Sequence, residues 1–265
     1  MVDSHIHSFF STDCDASFDD ICTSAIKNNM EGITITDHLD LYYPNFDVKF
    51  NIDFEKYTQE IEKFRDKYKD KLRVFTGLEL GYRKRAIDET NLIVQSHNFD
   101  LVICSVHVIQ NIDPYYGKFF EGKTKKEAYR MYLEKIYKSI VNQPDYDVVG
   151  HIGYIRRYGN LEDNSMSYDE YSDILEPMLK KIISLGKGIE LNTSFFDREP
   201  YLSMPEKDIL MKYKEFGGEI ITIGSDAHKA DRTGINFNDG IELLKECNFQ
   251  YITHFEGRKP IFTKI

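Results

Sequence analysis

The chain has 265 residues, 41% hydrophobic and 29% charged, the balance of a soluble globular enzyme with room for a sizeable core. Its formal net charge of −10 argues against a general nucleic-acid binder, which needs a basic face, but leaves an anionic substrate open if bound cations reverse the local field. Its four cysteines form no C-x-x-C pair and suggest no disulfide framework, no apolar run is long enough to span a membrane, and no signal-peptide pattern is visible, so the expected location is cytoplasmic.

Taken in order, the first seven residues read as a strand. Asp3, His5 and His7 share one of its faces, because strand side chains alternate with a period of two. Two imidazoles side by side on a strand supply half of a metal site. Ser8 to Ser17 is turn-like and contains Asp13. A helix is predicted from about Phe18 to Asn29, on the spacing of Ile21, Cys22, Ala25 and Ile26. Gly32 opens a buried strand, Ile33 to Thr36, which ends at Asp37-His38. Leu39 to Asn51 reads as an aromatic loop over the site. A charged helix, about Asp53 to Tyr68, leads to a third strand, Leu72 to Gly77, which delivers Glu79.

A helix over about Arg85 to His97 precedes a fourth strand, Leu101 to Val106, which delivers His107. Asn111 to Lys126 is a second long loop, and about Thr124 to Val141 is helical. A short fifth strand, Asp147 to Gly150, ends at His151, and the loop beyond holds Arg156 and Arg157. A helix over about Tyr168 to Leu185 and a sixth strand, Gly188 to Leu191, lead to a loop carrying Arg198. A helix over about Glu206 to Phe216 then precedes a seventh strand, Ile220 to Ile223, which runs into Asp226 and His228. A last helix covers about Asn238 to Glu246, and Tyr251 to Phe255 forms a short final strand. Strand and helix alternate about seven times with no linker, so a single domain over residues 1–265 with a parallel α/β sheet is expected. No G-x-G-x-x-G follows the first strand, which lowers a dinucleotide-binding reading.

His5, His7, His38, Glu79, His107, His151, Asp226 and His228 all fall at or just after predicted strand ends, where a βα barrel gathers its active site. Each alone has an ordinary structural reading; together they point to one centre. Imidazole and carboxylate without thiolate suit Zn, Mn or Fe. So many donors exceed one tetrahedral ion, and a carboxylate has two oxygens with which to bridge a pair of ions.

Asp3-Ser4-His5-Ile6-His7, Thr36-Asp37-His38, Gly77-Leu78-Glu79, Ser105-Val106-His107, Gly150-His151 and Gly224-Ser225-Asp226-Ala227-His228, in this order, resemble the polymerase and histidinol phosphatase (PHP) family. The segment Gly150 to Tyr158 and the Arg198 loop are similar to its histidinol-phosphate phosphatase branch, with a departure at Gly153, where an acidic or polar residue is expected. The resemblance implies a distorted (β/α)7 barrel and three divalent metal ions. His5, His7, Glu79 and Asp226 would hold the first. Glu79 would bridge to a second, completed by His107 and His151. Asp13, His38 and His228 would hold the third, and Asp3 would orient a ligand histidine.

It further implies hydrolysis of a small phosphomonoester, specifically L-histidinol phosphate in histidine biosynthesis. Three divalent ions would outweigh Asp13, Glu79 and Asp226 and leave the mouth positive inside an acidic protein. A hydroxide bridging two metals would attack phosphorus, since metal binding brings a water's pKa from 15.7 to about 7. Asp226, His228, Arg156 and Arg198 are the candidate catalytic residues. The arginines would fork onto phosphate oxygens, and Asp226 or a water would protonate the leaving alkoxide. Tyr42, Tyr43, Phe46, Tyr115, Tyr116, Phe119 and Phe120 would wall a ring or simply pack the loops; none is assigned. No nucleic-acid or membrane partner is expected. Rival readings are a family member acting on nucleotides or oligonucleotides, an amidohydrolase-type enzyme, and a metal-stabilised scaffold without activity.

Overall fold

The structure, a computed structural model, describes residues 1–44, 51–143, 145–197 and 203–265. Its sheet is built from β1 (Val2–Ile6), β2 (Gly32–Ile35), β4 (Arg73–Gly81), β5 (Leu101–Ser105), β6 (Val148–Val149), β7 (Gly188–Asn192) and β8 (Ile221–Gly224), each paired in parallel with the next. A two-residue strand, β3 (His38–Leu39), adds to the upper part of β4 and sets His38 opposite Glu79. The ring closes where the segment after β8 meets β1. Asp226 N–H donates to His5 O at 2.8 Å, and His7 N–H donates to Ala227 O at 3.0 Å. Each ring strand is followed by a helix: α1 (Phe18–Lys27), α2 (Phe54–Tyr68), α3 (Ile87–Ser96), α4 (Lys125–Asn142), α5 (Ser172–Ser184), α6 (Lys207–Glu215) and α7 (Phe237–Glu246). The result is the expected seven-fold βα barrel, mostly parallel and nearly closed.

Local chemistry explains the helix starts. The Ser17 side chain accepts from Asp20 N at the head of α1, and Thr124 with Glu127 forms a capping box on α4. The main core lies between sheet and helices, where Ile33, Ile35, Leu78, Leu80, Val102 and Cys104 pack with Phe18, Ile21, Tyr57, Ile61, Tyr132 and Leu133.

A second, separate apolar cluster holds Leu101, Ile103, Val148 and Phe255. Leu101 and Ile103 alternate with Val102 and Cys104, so they point into the barrel. Phe255 comes from β9 (Tyr251–Glu256), which touches both β5 and β8 and therefore crosses the lower end of the ring. β9 turns back through Gly257 and Arg258, both at positive φ, into β10 (Lys259–Lys264), an antiparallel hairpin of which only the first strand is predicted from sequence. The interior register that places Leu101 and Ile103 below places Ser105 and His107 above.

Candidate active site

The upper end of the barrel is a cluster of buried imidazoles and carboxylates. β1 carries His5 and His7 on one face, with their Nε2 atoms 3.1 Å apart. β4 runs two residues beyond Glu79, so this carboxylate is an interior strand residue rather than a loop residue. Its Oε2 lies 3.4 Å from His5 Nε2 and 3.6 Å from His7 Nε2, and Asp226 Oδ1 lies 3.8 Å and 3.3 Å from the same two nitrogens. Glu79 Oε1 lies 3.2 Å from His107 Nε2 and 2.8 Å from His151 Nε2. The two oxygens of one carboxylate therefore face two different sets of donors.

At the rim, Asp13 Oδ2 lies 3.7 Å from His38 Nε2 and 3.4 Å from His228 Nε2. The sets interlock. His7 stacks on His38 and on His228 with ring centroids 4.2 and 4.0 Å apart, and His38 Nδ1 reaches Glu79 Oε2 at 2.8 Å. Donor atoms of His5, His7 and Glu79, of His38, Glu79 and His107, and of His7, His38 and His228 each fall within 4.8 Å of one another.

Neighbouring groups fix which ring nitrogen faces the cluster. His5 Nδ1 donates to Glu190 Oε1 at 2.5 Å, and His107 Nδ1 donates to Asp40 at 3.0 Å. His7 Nδ1 donates at 3.1 Å to Ser11 Oγ, whose proton goes to Asp37 Oδ1 at 2.6 Å. His228 Nδ1 donates to the Asp226 carbonyl at 3.0 Å. With the proton committed to Nδ1, Nε2 presents a lone pair, the state a metal ligand needs.

The residues also fit a metal electrostatically. Glu79 Oε2 is fully buried, and the imidazole nitrogens of His5, His7 and His38 surround it. Burial opposes a charge on His5, but Glu190, Glu79 and Asp226 together raise it well above the ordinary imidazole value. Burial likewise opposes a charge on His107, and Asp40 and Glu79 raise it. His38 is pushed up to about 9, against burial, by Glu79 and Asp13. Burial would raise Glu79, but His5, His107 and His38 hold it well below the carboxylate range. Protons on imidazoles do here what divalent cations would do, and metal binding would release them. Asp226 sits in the left-handed region at φ 52, a strained backbone of the kind that marks functional sites.

A cavity of about 360 Å³ opens above the cluster. Asp13, His38, His107, His151, Asp226 and His228 line it together with Asp40, Asp113, Tyr43, Tyr115, Tyr116, Tyr154, Tyr158 and Arg157. Arg157 Nη2 donates to Asp226 Oδ2 at 2.8 Å and also to Ser194 Oγ.

Arg156 corrects an expectation. It lies in the short turn Tyr154–Arg157 and points away from the cavity, donating to Asn164 O at 2.9 Å and Ser203 O at 2.8 Å and pairing with Glu206 at 2.5 Å. It ties loops together, and its neighbour Arg157 faces the mouth. Arg198 and Phe46 lie outside the described residues. Phe119 is buried in the core, and Tyr42 is exposed with its hydroxyl on Glu89.

Asp3 does not orient a histidine ring. Its carboxylate accepts from the backbone N–H of His5, Ser225 and Gly234 and pins β1 to the segment after β8, and burial raises it to about 6. The ring of His5 is oriented by Glu190, which sequence reasoning missed. A carboxylate in a short apolar strand was the available signal. Gly153, where an acidic or polar residue is expected, sits at φ 119, a backbone conformation that favours glycine.

Comparisons with known proteins agree with this geometry. Residues 3–194 match the PHP domain family. A histidinol-phosphatase from Lactococcus lactis is 36% identical over 97% of this chain and 95% of its own length. A probable histidinol-phosphatase from Clostridium acetobutylicum is 33% identical over 97% of this chain and 98% of its own. The crystal structure of the Lactococcus lactis histidinol phosphate phosphatase, complexed with zinc, L-histidinol and phosphate, superposes with a TM-score of 0.92 at 35% identity, covering 98% of each chain.

Proposed function

This chain belongs to the PHP family, and we propose that it is a metal-dependent phosphatase that converts L-histidinol phosphate to L-histidinol and inorganic phosphate in histidine biosynthesis. The observation that carries this reading is Glu79, one buried carboxylate whose Oε1 faces two imidazole nitrogens and whose Oε2 faces three, beneath a cavity of substrate size. His5, His7, Glu79 and Asp226 would hold one cation, Glu79, His107 and His151 a second, and Asp13, His38 and His228 a third. Their chemistry suits Zn, Mn and Fe alike. Bound cations supply an acidified water and neutralise phosphate oxygens.

The remaining tasks fall to side chains. Arg157 is buried beside Asp226 and lines the mouth, where its guanidinium can take a phosphate oxygen. Asp226 is unsuited to donate a proton to the leaving alkoxide. Its Oδ1 faces His5 and His7, and its Oδ2 accepts from Arg157 and Asn192. That proton comes from solvent. Tyr43, Tyr115, Tyr116, Tyr154 and Tyr158 give the imidazole ring of the leaving group flat walls, and Asp113 suits its ammonium.

The test is phosphate release from a panel of phosphomonoesters, with and without chelator. L-histidinol phosphate should be preferred, and chelator should abolish turnover. A nucleotide preferred over L-histidinol phosphate, or turnover untouched by chelator, would overturn the reading.

A further inference from the structure

We propose that the pocket between the β4–α3 turn and the hairpin following β5 is a second anion site, taking a small tetrahedral oxyanion such as a sulfate or phosphoryl group. Arg83, Lys84, Arg85 and Lys135 line this pocket of about 250 Å³, with Gln110 and Asn111 across from them. It shares no lining residue with the metal cavity.

The concentration of charge is the unusual feature. The chain carries a net −10, and on its surface Lys56, Lys63, Lys67, Lys180 and Lys212 each sit against a carboxylate. Among the described residues, none of the four pocket cations has a carboxylate oxygen within the 4.0 Å of an ion pair. Neutral groups hold three of them instead. Arg83 is 9% exposed and donates to Asn111 Oδ1. Arg85 donates to the Tyr42 carbonyl at 2.8 Å and stacks 4.8 Å from the Tyr42 ring. The Lys135 ammonium lies 4.7 Å from the Tyr82 ring centroid.

The donors are thus placed without an ion-pair partner, Asp40 acting on Arg83 only at longer range while it holds His107, which favours an anion that arrives from solution. Burial and the neighbouring Arg85 lower the Arg83 guanidinium from its ordinary value, and burial with Arg83 and Lys138 lowers Lys135. An oxyanion would relieve both. Gln110 and Asn111, at φ 49 and 66, form the tip of the turn between Ile109 and Ile112, which begins two residues after His107. Both walls follow strand C-terminal ends, so the pocket lies at the same barrel end as the metal cluster but is lined by different residues.

Calorimetric titration of the metal-loaded protein at low ionic strength, first with sulfate and then with methylphosphonate, tests the site. The wild type should show one oxyanion site more than K84A/R85A/K135A, with an affinity at least about tenfold above the residual binding of that variant. Tighter sulfate would mark a free oxyanion as the occupant, and tighter methylphosphonate a phosphoryl group on a larger molecule. The variant should keep its kcat/KM, which also shows that it folds. R83K, which keeps the charge but loses the fork, should weaken binding without abolishing it. Identical isotherms for wild type and triple variant would overturn the proposal. So would a kcat/KM that falls in step with oxyanion binding, since these residues would then belong to the reaction site.

Discussion

The inner and outer parts of the cluster are built differently. His5, His7, Glu79, His107 and His151 are at most 8% exposed, and Glu190, Asp40 and the Ser11–Asp37 pair clamp three of the rings from behind. At the rim, the Asp13 and His228 side chains are 46% and 31% exposed, and Asp13 hangs from a turn. Buried charges need compensation that exposed charges draw from water. On the proposed assignment, cations at the inner positions would be held as part of the fold, whereas one at the outer position would exchange with solvent.

Breaking the inner part should cost most. Glu79→Gln keeps size and burial but removes the bridging charge. kcat/KM should fall by about 10³-fold or more, with loss of inner metal and of the metal-dependent rise in Tm. Unchanged metal content would break the contrast. Next comes the clamp. Glu190 also accepts the His151 backbone N–H at 2.6 Å, so one side chain positions two candidate ligands. Glu190→Ala should lower metal affinity or activity about 10- to 100-fold, and Glu190→Gln should restore part of it. Asp13→Asn should release one metal equivalent and leave the inner ones, with a smaller loss in kcat than Glu79→Gln. Loss of all metal would show that the rim is not independent.

The smallest effect is on pH. In the metal-free protein His38 is raised from 6.5 to about 9 by Glu79 and Asp13 against burial. A raised histidine adds stability that is full below 6.5 and lost as pH climbs through 9. Metal-free Tm should therefore drift down over that window, while metal affinity rises across it as protons cease to compete. A flat affinity profile from pH 6.5 to 9 would separate His38 from the metals.

Much of this site is legible from residue spacing, because parallel strands deliver their last residues to one end of a barrel. The alternation of strand and helix and the gathering of donors at strand ends such as Gly150-His151 follow from the residues, and the seven-fold barrel and the family follow from the resemblance those segments carry. What the spacing cannot show is direction. Arg156 and Arg157 are adjacent in one short turn, and only packing against Asn164, Ser203 and Glu206 turns the first inward and leaves the second at the mouth. Glu190 hides inside β7, where no motif flags it. The room it needs comes from Gly224, where an added Cβ would strike both Glu190 and His5. The second strand of the β9–β10 hairpin is not legible in the sequence, because it is exposed and carries no buried alternation.

Metal equivalents per chain, counted by elemental mass spectrometry on samples that are stripped, then reloaded and assayed for phosphate release from L-histidinol phosphate, bear most directly on the cluster. Three equivalents at full activity, with none of that activity left at zero equivalents, are expected. Full turnover by the stripped protein would contradict a metal centre at the barrel mouth.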